Sequence, residues 1–219
     1  MIIGPAVIQL HFYPQNASLI PHLLLQEMGE RFELILVDRS RNEHLSPKYL
    51  SLNPNGLIPV LVDGDLVLYE TAAICLHLCD KHPEKHFAPA VGTADRAHFY
   101  KWLFWLSNTL QTTLQTYYHA ERWVDANNTI AATQVKALAQ ARITKMLAQI
   151  DVHLGQTEAP WFMGDAYTAI DCYVFTLCRW TLGFERGGAK DFANLASYLQ
   201  RVKSRPATQT VLATERGAI

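Results

Sequence analysis

The sequence predicts a small α/β domain built on a mixed sheet, followed by an all-α helical domain. Three observations lead there. Over residues 7–79 the apolar pattern switches quickly between the two-residue step of a strand and the three-to-four-residue step of a helix. Beyond Ala94 the strand signals vanish and only the helical step remains. Between the two, residues 82–93 are rich in Pro, His and Gly and read as a linker. A chain of 219 residues is one large domain or two small ones at ~150 residues per domain. The change of texture favours two, residues 1–84 and 94–219.

The elements follow in order. Val7-Ile8-Gln9-Leu10-His11-Phe12 is short, apolar and β-prone, hence a strand. Residues 18–29 carry Leu19, Ile20, Leu23, Leu24 and Met28 at helical spacing and stop at Gly29, a residue suited to closing a helix. Residues 32–37 read as a second strand. A strand, helix and strand in ~30 residues imply parallel pairing through a right-handed crossover. Val60-Leu61-Val62 and Leu66-Val67-Leu68 flank Asp63-Gly64-Asp65, a hairpin in which Asp-Gly supplies the positive φ angles of the turn. An apolar helix over residues 71–79 ends the first part. In the second, Trp102, Leu103, Leu106, Leu110 and Leu114 recur at helical steps, as do Leu138, Ile143, Leu147, Ile150 and Leu154. Residues 169–182 and 192–202 give two more helices, and the basic run 201–205 reads as a solvated helix end.

Composition removes several function classes. With 49% apolar and 18% charged residues a packed core forms, so wholesale disorder is excluded. Nineteen basic against twenty acidic residues leave a net charge of −1, without the basic excess of a dedicated nucleic-acid binder. No apolar run approaches the ~20 residues needed to span a bilayer. Met1-Ile2-Ile3-Gly4-Pro5 has no basic lead-in and is read as mature protein, not a signal peptide. Cys75, Cys79, Cys172 and Cys178 form no C-x-x-C pair and sit in apolar stretches, so they read as buried thiols of a reducing compartment, with no metal site expected. The expectation is a soluble, cytoplasmic globular protein.

Two stretches carry chemistry. In Asn53-Pro54-Asn55-Gly56-Leu57-Ile58-Pro59, the final proline has no N–H for a ladder and belongs at the first residue of the strand that follows or at an edge. A cis bond there would turn the Ile58 amide and carbonyl outward, where an extended peptide pairs with them as with another strand; a trans proline would merely start the strand. Glu70-Thr71 lies at a strand–helix junction. Thr71 reads as the N-cap, the free amides behind it form an anion site, and Glu70 is available to an ammonium. The bland alternative is an ordinary capped helix.

The strand and helix order, the N-P-x-G-x-[IV]-P stretch and the Glu-Thr that follows resemble the thioredoxin-like N-terminal domain of the cytosolic glutathione transferases. Residues 164–171, Gly-Asp-Ala-Tyr-Thr-Ala-Ile-Asp, are similar to that family's capping segment, with Thr168 and Asp171 as a reciprocal cap on a buried helix. The resemblance covers essentially the whole chain. It implies a cis Pro59, Ile58 pairing with the cysteinyl part of glutathione, Glu70 and Thr71 holding its γ-glutamyl end, and His44 near its glycine carboxylate. Leu45 stands where plant-type members carry a Lys, which weakens that last contact.

A free thiol with pKa ≈ 8.5 is only a few per cent thiolate at neutral pH, so the family stabilises the anion near the start of the first helix. The segment from Ala17 to His22 is most similar to the bacterial beta class, which has Cys where this chain has Ala17 and His where it has Gln111. The tyrosine-type position falls on Phe12. Ser18 and Asn16 remain as donors to sulfur, Ser18 ranked first; Ser18 also reads as a helix cap. Gln111, Tyr117 and Trp123 are the candidates to line the electrophile pocket.

The resemblance thus implies a glutathione transferase that conjugates the glutathione thiolate to a small hydrophobic electrophile, as a homodimer with no metal and no nucleic-acid or membrane partner. The alternatives are a glutathione-dependent disulfide or peroxide reductase on the same fold, or a non-catalytic protein-interaction module.

Overall fold

The computed structural model describes residues 7–217, so the stretch read above as a mature N-terminus lies outside the described residues. β1 (Ile8–Phe12), α1 (Leu19–Met28), β2 (Phe32–Leu36), the single turn α2 (Pro47–Leu50), the hairpin β3 (Val60–Asp63) and β4 (Leu66–Tyr69), and α3 (Thr71–Lys81) follow in that order. β1 pairs parallel with β2 and antiparallel with β3, giving the strand order β2-β1-β3-β4. Leu19, Ile20, Leu23, Leu24 and Met28 of α1 are buried as their spacing predicts, and Gly29 closes the helix at φ +68°.

The hairpin differs from its expected form. Asp63 pairs with Leu66, so the loop is Gly64-Asp65, and within Asp63-Gly64-Asp65 only Gly64 has a positive φ, +62°. Placing glycine first in the loop puts the left-handed conformation on the one residue without a Cβ.

The two faces of the sheet are covered unequally. Leu10 and Leu61 are fully buried within the apolar core of this unit, where α1 and α3 pack together. The face bearing His11 and Val60 meets a smaller cluster of Val37, Tyr49, Ile58 and Val60, flanked by Tyr13, Leu52, Val62 and Tyr69.

The second part contains α4 (Ala94–Trp105), α5 (Gln111–Tyr118), α6 (Thr129–Gly155), α7 (Ala169–Arg179) and α8 (Ala193–Lys203). Thr93 caps α4 by accepting the Arg96 N–H at 3.1 Å. Between α4 and α5 lies a π turn, Leu106–Leu110, that the leucine spacing does not reveal. Both of its leucines remain fully buried, so the extra residue in the turn costs no core contact.

The chain divides into one unit running to Ala88 and resuming at Lys203, and a second from Pro89 to Val202. Against the expected boundaries, 1–84 and 94–219, packing groups the C-terminal stretch from Lys203 with the first unit. α9 (Pro206–Arg216) packs on α1. Its Glu215, 4% exposed, faces the equally buried His22 at 3.0 Å. Arg205, read above as part of a solvated basic end, instead grips Glu27 with two hydrogen bonds of 2.6 and 2.7 Å. Among the described residues no helix is long and apolar enough to cross a membrane. The four cysteines are buried and form no disulfide.

α7 begins at the expected capping box. The fully buried Asp171 carboxylate accepts the Thr168 N–H (2.7 Å) and hydroxyl (3.1 Å), the Phe162 N–H (2.9 Å) and the Tyr198 hydroxyl (2.7 Å). Removing it strands several buried donors at once. Asp171→Ala is expected to lower stability by about 3 kcal/mol or more in urea denaturation. A loss below about 1 kcal/mol, the worth of one ordinary hydrogen bond, would show that these donors find other partners.

Candidate functional site

Register brings the candidate residues to one end of the sheet. His11 pairs with Val60 and Val60 with Tyr69, so the loop after β1, the segment before β3 and the junction after β4 emerge side by side. β2 ends there too, since the Val37 N–H donates to the Phe12 carbonyl at 2.9 Å.

The segment before β3 is held from below. The Leu57 carbonyl accepts the Tyr49 hydroxyl and the Asn53 side-chain amide, each at 2.8 Å. Burial pushes the Tyr49 phenol far above its usual range, so it stays a donor. Asn53 also accepts the Asn55 N–H at 3.0 Å, closing an Asx turn. Gly56 sits at φ +62°, where a Cβ would come within 3.1 Å of the His44 carbonyl oxygen. Neither Tyr49 nor Asn53 was singled out as a site residue. Asn53 lies within the Asn53–Pro59 stretch, whereas nothing in the sequence shows that the Tyr49 hydroxyl points at Leu57.

The Ile58–Pro59 bond is cis. The Ile58 side chain is buried in the small cluster, while its N–H and carbonyl take no hydrogen-bond partner among the described residues. That unpaired donor and acceptor, next to the start of β3, can pair with an extended peptide.

At the neighbouring junction the cap residue is Glu70 and not Thr71, which is the first helical residue. Glu70 is exposed and holds φ +71°, unusual for a non-glycine residue and costing of the order of 1–3 kcal/mol. Its carbonyl receives the Ile74 N–H at 3.0 Å, and the amides of Thr71, Ala72 and Ala73 have no acceptor among the described residues. An anion fits those amides, with the Glu70 carboxylate beside it.

The loop before α1 reverses the expected ranking of donors. Ser18 is fully buried; its hydroxyl donates to the Tyr13 carbonyl (3.0 Å) and accepts the Tyr13 N–H (3.2 Å). Its one hydrogen is taken, so it neither faces a ligand nor caps α1 with its side chain. Asn16 is half-buried, and its oxygen accepts the Ala17 N–H, which leaves the amide hydrogens without a partner among the described residues. The same loop is anchored from afar. Glu215 accepts the N–H of Gln15, itself at φ +60°, at 3.0 Å with one oxygen and meets His22 with the other. Nothing local in the sequence marks that contact.

His44 lies in a short helical turn at the same end of the sheet, with Nδ1 buried and unpartnered. Burial, then the Arg39 charge, lowers its pKa, which keeps the ring neutral at pH 7. Leu45 beside it is 56% exposed.

The three residues read as electrophile contacts lie in the second unit and differ in availability. The Gln111 side-chain carbonyl is taken by the Tyr173 hydroxyl at 3.0 Å. Tyr117 packs on Phe184 and carries the Lys136 ammonium over its ring. Trp123 is 65% exposed and lines a hollow of about 490 Å³ with Thr112, Thr116 and Arg142.

Comparison with known proteins bears on the whole chain. The family model of the glutathione S-transferase N-terminal domain matches residues 17–81, and that of the C-terminal domain residues 115–215. The chain belongs to the glutathione transferase family. A relative from Escherichia coli O157:H7, glutathione S-transferase GstA, is 26% identical over 94% of this chain and 98% of its own. The crystal structure of a glutathione transferase from Methylococcus capsulatus is 29% identical and superimposes with a TM-score of 0.82 over 97% of this chain and all of the other. A sphingomonad glutathione S-transferase solved with glutathione is 26% identical, with a TM-score of 0.82 over 96% of this chain and all of its own.

The Glu215 anchor has a measurable consequence. Glu215→Ala leaves His22 and the Gln15 N–H without their buried acceptor, and stability is expected to fall by about 3 kcal/mol. Hydrogen exchange of the Gln15 amide should accelerate with it. An unchanged exchange rate would show that the loop holds its shape without α9.

Proposed function

We propose that this protein conjugates the thiolate of glutathione to a small hydrophobic electrophile. The observation that carries this reading is the pairing of two open backbone features at one end of the sheet. The Ile58 N–H and carbonyl are free to hold the cysteinyl residue of a tripeptide, and the free amides from Thr71 to Ala73 are placed for a carboxylate one strand away. Glu70 then serves the γ-glutamyl ammonium, and His44 serves the glycine end as a neutral donor. Relatives solved with glutathione support the same tripeptide.

The cysteinyl sulfur in this arrangement rests beside the loop before α1. Asn16 is the donor to it, because its amide hydrogens are unengaged while the Ser18 hydrogen is not. A neutral amide stabilises the anion without being able to form a mixed disulfide, and the start of α1 adds its dipole. The electrophile is assigned to the helical unit, with Trp123 the most accessible of the three candidate contacts. A homodimer working in the cytoplasm is part of the same proposal.

An uncommitted side-chain amide at this position also suits glutathione-dependent reduction of disulfides or peroxides. Turnover of a chlorinated nitrobenzene above that of a glutathione mixed disulfide supports conjugation; the opposite order favours the reductase. Failure to bind immobilised glutathione would instead favour a non-catalytic interaction module. For the bound thiol, Asn16→Ala is expected to raise the pKa by about one unit in an ultraviolet thiolate titration, the loss of one charge-assisted hydrogen bond. Ser18→Ala is expected to leave that titration in place and to lower stability instead. The reverse result would return the role to Ser18.

A further inference from the structure

The outer face of the sheet holds a hollow that the glutathione reading does not use. It has a volume of about 370 Å³ and lies between β1, β2 and the segment that carries α2. His11, Ile35, Val37, Tyr49 and Leu52 line it, with Glu43, Ser46 and Lys48 among the polar residues. The residues placed above for glutathione, Asn16, His44, Ile58, Glu70 and Thr71, are not part of its lining.

Most of the polar groups here are engaged. The Tyr49 hydroxyl is bound to Leu57. Ser46 donates to the Glu43 carbonyl at 2.7 Å and accepts the Tyr49 N–H at 3.2 Å. Glu43 accepts the Asp38 N–H at 2.9 Å with one carboxylate oxygen, and Arg41 stands 3.8 Å from the other. Two groups remain. His11 is only 9% exposed, yet neither ring nitrogen has a hydrogen-bond partner among the described residues. Lys48 has no ion pair among them.

Strand alternation explains why the imidazole is there. His11 shares its face with Ile35 and Val60, its partners in the two neighbouring strands, so the side chain stands on the floor of the hollow beside the Tyr49 ring. Burial first, then the Lys48 charge, lowers the His11 pKa, so at neutral pH the ring offers one N–H donor and one acceptor. The ring nitrogens make no hydrogen bond to the described residues, so they are available to a ligand in the hollow.

The geometry points to a binding site for a small monocarboxylate with a short apolar body, its carboxylate between the Lys48 ammonium and the His11 ring and its body against Ile35, Val37 and Leu52. The charge decides for an anion, since Lys48 is the one uncompensated charge in the lining while Glu43 is engaged. A single cation and a neutral imidazole suit a single negative charge, and the mostly apolar wall suits hydrocarbon. The volume falls at the small end of the range for such pockets, about 300–1,000 Å³.

The test is calorimetric titration of phenylbutyrate into the whole protein saturated with S-methylglutathione, with phenylbutanol as the uncharged control. Binding of the acid in preference to the alcohol is expected. Lys48→Gln, an exposed change that leaves the fold alone, should weaken it about tenfold, as loss of a charge-assisted hydrogen bond does. His11→Leu should weaken it further. Equal binding of acid and alcohol, or an affinity untouched by Lys48→Gln, would overturn the proposal. Binding that occurs only without S-methylglutathione would overturn it too, by placing the probe in the tripeptide groove; this leaves the glutathione assignment standing.

Discussion

Two hydrogen bonds to one carbonyl oxygen organise this protein's site. Tyr49 and Asn53 both donate to Leu57, and their grip fixes the chain just before Ile58 and Pro59. With the Leu57 carbonyl held in this way, the Ile58 side chain is buried in the small cluster while its backbone stays unpaired among the described residues. An unpaired N–H and carbonyl beside a sheet are ordinarily a liability that a protein covers or blunts. Here they stand beside a helix N-terminus with unpaired amides and a strained Glu70, and the cost of each is understandable if a peptide with a carboxylate completes them.

The sheet supplies the rest of the placement. Because β1 and β4 both flank β3 in antiparallel register, the loop with Asn16, the Ile58 segment and the Glu70 junction share one end without any long-range side-chain contact. The loop before α1 is the exception. It is held by a carboxylate 200 residues away, on α9, so the C-terminal helix belongs to the unit that carries the candidate tripeptide groove.

Much of this was legible in the sequence because it is local. Alternating periods marked the strands and helices, and Gly29 and the Thr168–Asp171 box marked helix ends through backbone requirements that few residues meet. The Ile58-Pro59 and Glu70-Thr71 stretches stood out for the same reason. What sequence reading missed depends on direction or distance. Whether the Ser18 hydroxyl faces inward is set by the path of the loop around Tyr13, and residue type says nothing of it. A leucine pattern reads alike across an α-helix and one π turn, so Leu106–Leu110 was invisible. Glu215 looks like any charged residue near a helix end until His22, 193 positions earlier, is seen beside it.

Hydrogen exchange at the Ile58 amide, followed with and without saturating glutathione, tests the central assignment most directly. If the tripeptide docks on that backbone, the Ile58 N–H gains a carbonyl partner and its exchange should slow by at least about tenfold, the worth of one added hydrogen bond. Glutathione binding with no change in Ile58 exchange would contradict the account, because the ligand would then be held elsewhere and the open backbone pair would have another purpose.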